Sequence, residues 1–245
     1  MTDAVAACSD DFAQTEPLYR DPPLRALAES ALRLAAPRRA LLGIVGEPGA
    51  GKSTFALQLL EEIEKLHPGI ATAVSMDGFH LAQQVIDSLG MTAHKGTIET
   101  FDAYGFIAML RRVREETDHT VWWPDFRREL EEPVGQALEV APHHQLVIVD
   151  GNFLLVDESP WNQVRGLLTE TWFLDASPEA RRRRLMQRYV RYGFSRHSAQ
   201  NKTEGIDERT SARIRRWAYS ADRILSERLP CIDPGHETGG HRHHH

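Results

Sequence analysis

Residues Gly46-Glu47-Pro48-Gly49-Ala50-Gly51-Lys52-Ser53 put three glycines, a lysine and a hydroxyl into one short stretch, and Thr54 adds a second hydroxyl. Glycines let a backbone curl until successive N–H groups point inward, and such a concavity holds phosphate oxygens. The Lys52 ammonium would then reach the β- and γ-phosphates, and the Ser53 hydroxyl would ligate Mg²⁺ bound to them. The spacing Gly-x-x-x-x-Gly-Lys-Ser therefore predicts a site for ATP and Mg²⁺. The competing interpretation is a glycine-rich turn without a ligand, and the carboxylates elsewhere in the chain argue against it.

Two of them follow apolar runs. Asp150 closes the run 146–149 and Asp77 follows the run 70–76. A carboxylate at the end of a buried strand emerges at the carboxyl edge of a parallel sheet, where ligands of α/β proteins bind. Asp150 is there a candidate partner of Ser53 at the metal, although alone it reads equally well as a turn aspartate before Gly151. Asp77 is a candidate base, because a carboxylate hydrogen-bonded to an alcohol can take its proton while orienting the attacking oxygen. Its other reading is a cap on the strand end. His80 is open in the same way: a donor to an acceptor oxygen, or a side chain that holds the turn through the backbone.

The elements that must position these groups follow from periodicity. The apolar run 41–45 precedes the glycine loop, and Phe55, Leu59, Ile63 and Leu66 follow it at helical spacing. Strand, loop and helix is the order the phosphate site requires. Further buried runs at 70–76, 146–149, 172–174 and, more weakly, 223–225 alternate with helical patterns, which predicts a parallel sheet. An amphipathic helix with Asp21 as its cap and Pro22 in its first turn runs to Pro37. The expected fold is a three-layer α/β domain with a five-stranded parallel sheet and a helical lid near residues 178–200. Expected boundaries are a poorly ordered leader over 1–20, a single domain over 21–235, and a flexible His-rich tail over 236–245, native or a tag remnant.

Composition narrows the partners. The 245 residues carry 29 basic and 35 acidic side chains, a net charge of −6, which gives no general attraction to nucleic acid or to an anionic membrane. Cys8 and Cys231 lie near opposite ends without metal-type spacing, so a reducing cytoplasm is the expected compartment. No apolar run approaches the length of a membrane span, and the first residues lack the order of a secretory signal. A homodimer is compatible with Trp122 and Trp123, which would line either a pocket or an interface.

Five segments together resemble one family. They are Gly46 to Ser53; Ser75-Met76-Asp77-Gly78-Phe79-His80; Lys95-Gly96 with Glu99-Thr100-Phe101-Asp102; Pro124-Asp125-Phe126; and Val149-Asp150-Gly151-Asn152-Phe153-Leu154. Their order resembles the uridine kinase, phosphoribulokinase and bacterial pantothenate kinase group of P-loop kinases, over most of the chain. The resemblance implies transfer of the γ-phosphoryl group of ATP to a hydroxyl of a small molecule such as a nucleoside, a sugar or a pantothenate-like acceptor. It implies Asp77 as the base for that hydroxyl, and an acceptor pocket drawing on His80, Lys95, Phe101, Asp102, Phe126 and Asn152. Phe101 and Phe126 are equally compatible with core packing. Two positions depart from the group pattern: Asp150 stands where glutamate is usual, and Arg127 stands where an acid is frequent, which would make the pocket more electropositive and favour an anionic substrate.

The arginine-rich stretch after Ser177-Pro178-Glu179 fits the lid. Arg184 and Arg188, spaced i and i+4, share a helix face and match the group's lid pattern, so both are expected to stabilise the transferring phosphoryl group. Arg181, Arg182 and Arg183 are expected on a solvated face, and Gly193 after Tyr192 would end the helix and provide a hinge. The alternative function is a P-loop switch or chaperone acting on a protein partner. It gains little from the sequence, since Asn201-Lys202-Thr203-Glu204 only approaches a guanine-reading Asn-Lys-x-Asp. A kinase-like fold that only binds its ligand is the third reading.

Overall fold

A computed structural model describes residues 22–35 and 38–227 of the chain. The leader, the His-rich tail, both cysteines, Asp21 and Pro37 lie outside the described residues. In chain order the elements are α1 (Leu24–Leu32), β1 (Ala40–Gly46), α2 (Lys52–Leu66), β2 (Ala71–Ser75), α3 (Gln83–Ser88), α4 (Ala103–Glu115), β3 (Val121–Arg127), β4 (Glu132–Val140), β5 (Leu146–Gly151), β6 (Glu170–Asp175), α5 (Pro178–Arg191), α6 (Arg196–Lys202), α7 (Glu208–Arg215) and β7 (Arg223–Ser226).

Strands β2, β5, β1, β6 and β7 lie side by side in that order, and all pairings among them are parallel. The central strand β1 is buried along its whole length because both of its faces are covered, and this is why its sequence is an unbroken apolar run. Alternate residues feed two cores. Leu42 and Ile44 join Phe55, Leu59, Ile63, Leu27 and Trp172 on the face packed by α1 and α2. Leu41 and Val45 join Phe106, Leu110, Trp123, Phe153 and Trp161 on the opposite face. The three-layer α/β fold with a five-stranded parallel sheet is thus as the sequence predicts.

A further antiparallel pair, β3 with β4, stands outside that sheet and was not expected from the apolar pattern. Its register shifts between Trp123 and Asp125, around Pro124, which has no N–H for a ladder. Strand alternation separates the two tryptophans: Trp123 is fully buried against Phe79 and Phe106, whereas Trp122 is about half exposed. The Trp123 indole donates to the Ser75 carbonyl at 2.9 Å, tying the pair to the end of β2. Gly78 makes the contact still closer, since a Cβ there would lie 2.2 Å from the Pro124 carbonyl oxygen.

The lid begins at α5, capped by the Ser177 hydroxyl, which accepts from the Ala180 amide at 3.2 Å, with Pro178 in its first turn. It ends where Gly193 takes a φ of 86° and donates to the Val190 carbonyl. Helices α6 and α7 continue it, joined by one wide helical turn over Thr203–Asp207. No helix among the described residues is long and apolar enough to cross a membrane.

Candidate active site

The phosphate loop runs from the end of β1 into the N-terminus of α2, a 15-residue helix whose first amides and dipole face the same concavity. Gly51 is left-handed at φ 89° and Gly49 at φ 78°. At Gly49 the need for glycine is also one of space, because a Cβ would meet the Arg181 carbonyl oxygen at 2.6 Å. The Ala50 amide donates to the Glu47 carbonyl at 3.0 Å and closes the turn. Lys52 Nζ donates to the same carbonyl at 3.2 Å. Burial pushes the Lys52 ammonium down to about 8, against the opposing pull of Asp150 and Asp77.

Asp150 ends β5 and is 6% exposed; Ser53 Oγ donates to its Oδ2 at 2.9 Å. Burial, and then the like charge of Asp77, push its carboxyl up to about 6, while Lys52 and the Ser53 and Ser75 hydroxyls favour the anion. The buried Asp150 carboxylate beside the Ser53 hydroxyl, with Asp77 near it, forms a set of hard oxygen donors. That chemistry fits Mg²⁺, which takes one or two protein oxygens and completes its shell with water and phosphate. Ser53 and Asp150 are the residues that would hold it.

Asp77 lies in the turn after β2, where its amide donates to the Ser75 hydroxyl at 3.2 Å. Burial raises its pKa, yet Arg128 first, then His80, Lys52 and Arg188, outweigh this and leave the carboxyl below its ordinary value. It therefore stays ionised at neutral pH, as a base must. His80 is held through Nδ1 to the Asp77 carbonyl at 2.9 Å, and its ring packs on Phe101 and Phe126 at 3.9 and 4.8 Å between centroids. Burial keeps that imidazole below its usual pKa, hence neutral.

Among the other residues singled out, Lys95 stands beside this wall, 5.6 Å from the Phe126 centroid, and donates to Gln83 Oε1 and the Glu131 carbonyl. Asn152, just past β5, has a buried side-chain oxygen without a hydrogen-bond partner, an atom ready for a donor on a ligand. Phe101 packs against Phe153 and Trp161 as well as His80, so it serves core and wall together. Asp102 is exposed and caps α4, its Oδ1 accepting from the Gly105 amide at 2.9 Å. Arg127 is engaged by Asp125 at 3.3 Å.

The lid arginines divide. Arg188 faces the charge cluster, close enough to bear on both Lys52 and Asp77. Arg184 instead donates to the Gly49 carbonyl at 3.3 Å and pairs with Glu227, so it braces the loop from outside. The expectation for Arg181 is corrected: it is 2% exposed, pairs with Glu47 at 3.1 Å and donates to the Ser211 hydroxyl at 2.7 Å and to the Pro48 carbonyl at 3.3 Å. The sequence carried a signal for this, since Arg181 shares a helix face with the buried Leu185. Glu47, 1% exposed, turns its side chain away from the phosphate concavity to Arg181 and Arg215. Sequence reasoning also missed Arg128, whose NH2 donates to Asp77 Oδ2 at 2.8 Å while its guanidinium lies 5.2 Å from the Phe126 centroid. Arg128 lies in the turn just past β3, beyond the reach of strand alternation, so no periodic signal marked it.

A phosphate loop between β1 and α2, with Asp150 and Asp77 at the same edge of a parallel sheet and a helical arm over it, is the arrangement of a P-loop kinase. Comparison with known proteins agrees. A Schizosaccharomyces pombe protein named "putative uridine kinase" is 30% identical over 162 residues, 64% of this chain and 69% of that protein. The YggC protein of Escherichia coli, which carries no assigned function, is 36% identical over 166 residues, 66% of this chain and 67% of its own length. A crystal structure from a Silicibacter species, named "putative fructose transport system kinase", superposes with a TM-score of 0.75 at 29% identity, covering 82% of this chain and 98% of that one. No protein-family profile matches the chain. The chain belongs to the P-loop kinases of the uridine kinase group.

Proposed function

We propose that the protein transfers the γ-phosphoryl group of ATP to a hydroxyl of a small molecule, with Asp77 as the base. The observation that carries this reading is the arrangement of Asp77 and Lys52 at one sheet edge, each within electrostatic reach of the other and of Arg188. Residues Gly46, Glu47, Pro48, Gly49, Ala50 and Gly51 offer backbone to the polyphosphate, with Lys52, Ser53 and Thr54 adding their side chains. Ser53 and Asp150 would hold Mg²⁺, which would supply charge neutralisation for the phosphates. Asp77 accepts the acceptor's proton as its oxygen bonds to phosphorus and the bond to the β-γ bridging oxygen breaks, releasing ADP. Lys52 and Arg188 face the charge that develops on the transferring group. His80, Lys95, Phe126 and Asn152 line the acceptor side, and the lid excludes water that would otherwise compete.

Acceptor-dependent ADP formation tests this. The purified protein with ATP and Mg²⁺ is expected to release ADP only when an alcohol from a panel of nucleosides, sugars and hydroxy acids is added. ADP release at the same rate without any acceptor would favour a nucleotide switch instead.

A further inference from the structure

Arg128 is the cation nearest the candidate base, and its surroundings bear on what the acceptor must be. Among the described residues it makes one hydrogen bond, to Asp77 Oδ2, out of the five N–H donors a guanidinium carries. Its side chain is 35% exposed, so the remaining donors are open to solvent. The guanidinium carbon lies 5.2 Å from the Phe126 ring centroid, a cation–π contact.

The neighbouring carboxylates are already engaged. Asp125 is paired with Arg127 at 3.3 Å, Glu131 stands 3.7 Å from Lys95, and both oxygens of Glu132 accept from the Gln83 amide at 3.1 Å. Asp77 is thus the single carboxylate that Arg128 touches, and it is also the one that must turn toward the acceptor hydroxyl. When Asp77 receives an alcohol on Oδ1, Arg128 keeps its bond to Oδ2 and still has N–H donors without a hydrogen-bond partner among the described residues. A neutral acceptor would leave those donors to water. An acceptor with its own oxyanion a few bonds from the reacting hydroxyl would meet it with the charge-assisted, planar contact that arginine makes best.

We propose that Arg128 reads an oxyanion on the acceptor, so that the substrate class is an alcohol bearing a carboxylate or a phosphate ester rather than a neutral nucleoside or polyol. This rests on Asp77 being the base that receives the acceptor hydroxyl. In the resting site Arg128 holds Asp77 through Oδ2, and the arriving acceptor adds two contacts, hydroxyl to Asp77 Oδ1 and oxyanion to the spare donors of Arg128. Lys95, on the same Phe126 ring, adds its field from the other side.

The test uses matched acceptors in the ADP-release assay: an alditol, the aldonate of the same carbon count, and the terminal phosphate monoester of that alditol. Wild-type protein is expected to show a KM for one of the charged members about 10- to 100-fold below that of the alditol. Which of the two it is distinguishes carboxylate from phosphate. Arg128→Ala is expected to lower the KM preference for that charged member over the neutral one by about 10- to 100-fold, while any change that follows from removing the cation beside Asp77 falls on all three acceptors alike. Should Arg128→Ala fail to fold, Arg128→Gln, which keeps the aliphatic stem and an amide donor without the charge, carries the same comparison. Equal or better use of the neutral alditol, or an equal rise in KM for all three in the variant, overturns the proposal and leaves the kinase reading intact. Absence of acceptor-dependent ADP with any alcohol overturns both.

Discussion

Around Lys52 the protein presents mostly backbone, delivered by one continuous stretch between β1 and α2 and locked by buried ion pairs beneath it. Around Asp77 it presents side chains delivered from separate places: the turn after β2, the segment before α4, and the β3–β4 pair. The first half fits a polyphosphate, the same in every ATP-using relative, through amides and the Lys52 ammonium. Under the proposed function the second half would recognise the acceptor alcohol, so its chemistry is carried by residues that can differ while the fold stays fixed. The difference shows why reaction class and substrate class are separate inferences, resting on different parts of the molecule.

Removing one side chain from each half should break the site in two distinguishable ways. Asp77→Asn is expected to lower kcat by about 10²- to 10⁴-fold while nucleotide affinity, measured by calorimetry, stays within about threefold. Lys52→Ala is expected to lower kcat by about 10²- to 10³-fold and to weaken nucleotide binding as well. Loss of nucleotide binding in Asp77→Asn would show that the two halves are not separable.

The β3–β4 pair offers a sharper contrast within the acceptor half. Trp123→Ala opens a cavity in a closed core and removes the indole bond to Ser75, and should destabilise the protein by about 3–5 kcal/mol in denaturant titration. Trp122→Ala, one residue away on the exposed side, should stay within about 0.5 kcal/mol. Equal losses would contradict the alternation that places Asp77's supports.

A smaller effect concerns the metal-side carboxylate. With the Asp150 pKa raised from 3.8 to about 6, folding favours its protonated form. Its contribution is complete below the unfolded value and is lost as pH rises through the folded one. Lys52, held near 8, remains charged across that window. The melting temperature of ligand-free wild type, relative to Asp150→Asn, should therefore fall between about pH 4 and pH 6. Mg²⁺ with nucleotide should restore it at neutral pH in wild type only. A constant difference from pH 4 to 7 would remove the claim that this carboxylate is buried with unmet charge.

Much of the phosphate half was legible because its information is contiguous. Gly46 to Thr54 names the loop, and the apolar run ahead of Asp150 places that residue at a strand end whatever the rest of the chain does. The parallel sheet was legible for the same reason, each buried strand being an apolar run bounded by turns. The antiparallel pair was not, because Trp122, Pro124, Asp125 and Gly135 interrupt its apolar pattern and only its burial against β2 makes it a structural element. Arg128 was missed and Arg181 misplaced for a different reason. Each lies in a run of like residues, Arg127-Arg128 or Arg181 to Arg184, where residue type cannot discriminate and only the facing of the element decides which one turns inward.

The grip of Glu47 on Arg181 and Arg215 has a mechanical consequence. The root of the arm that covers the nucleotide is riveted to the cradle it covers, at a place where Gly49 leaves no slack. Any swing of the arm would start farther out, toward the break at Gly193, leaving Arg188, about two turns from the rivet, near its place. Opening the arm would then admit solvent and cargo without dismantling the cluster of charges at its base, so that each cycle begins with the catalyst already assembled.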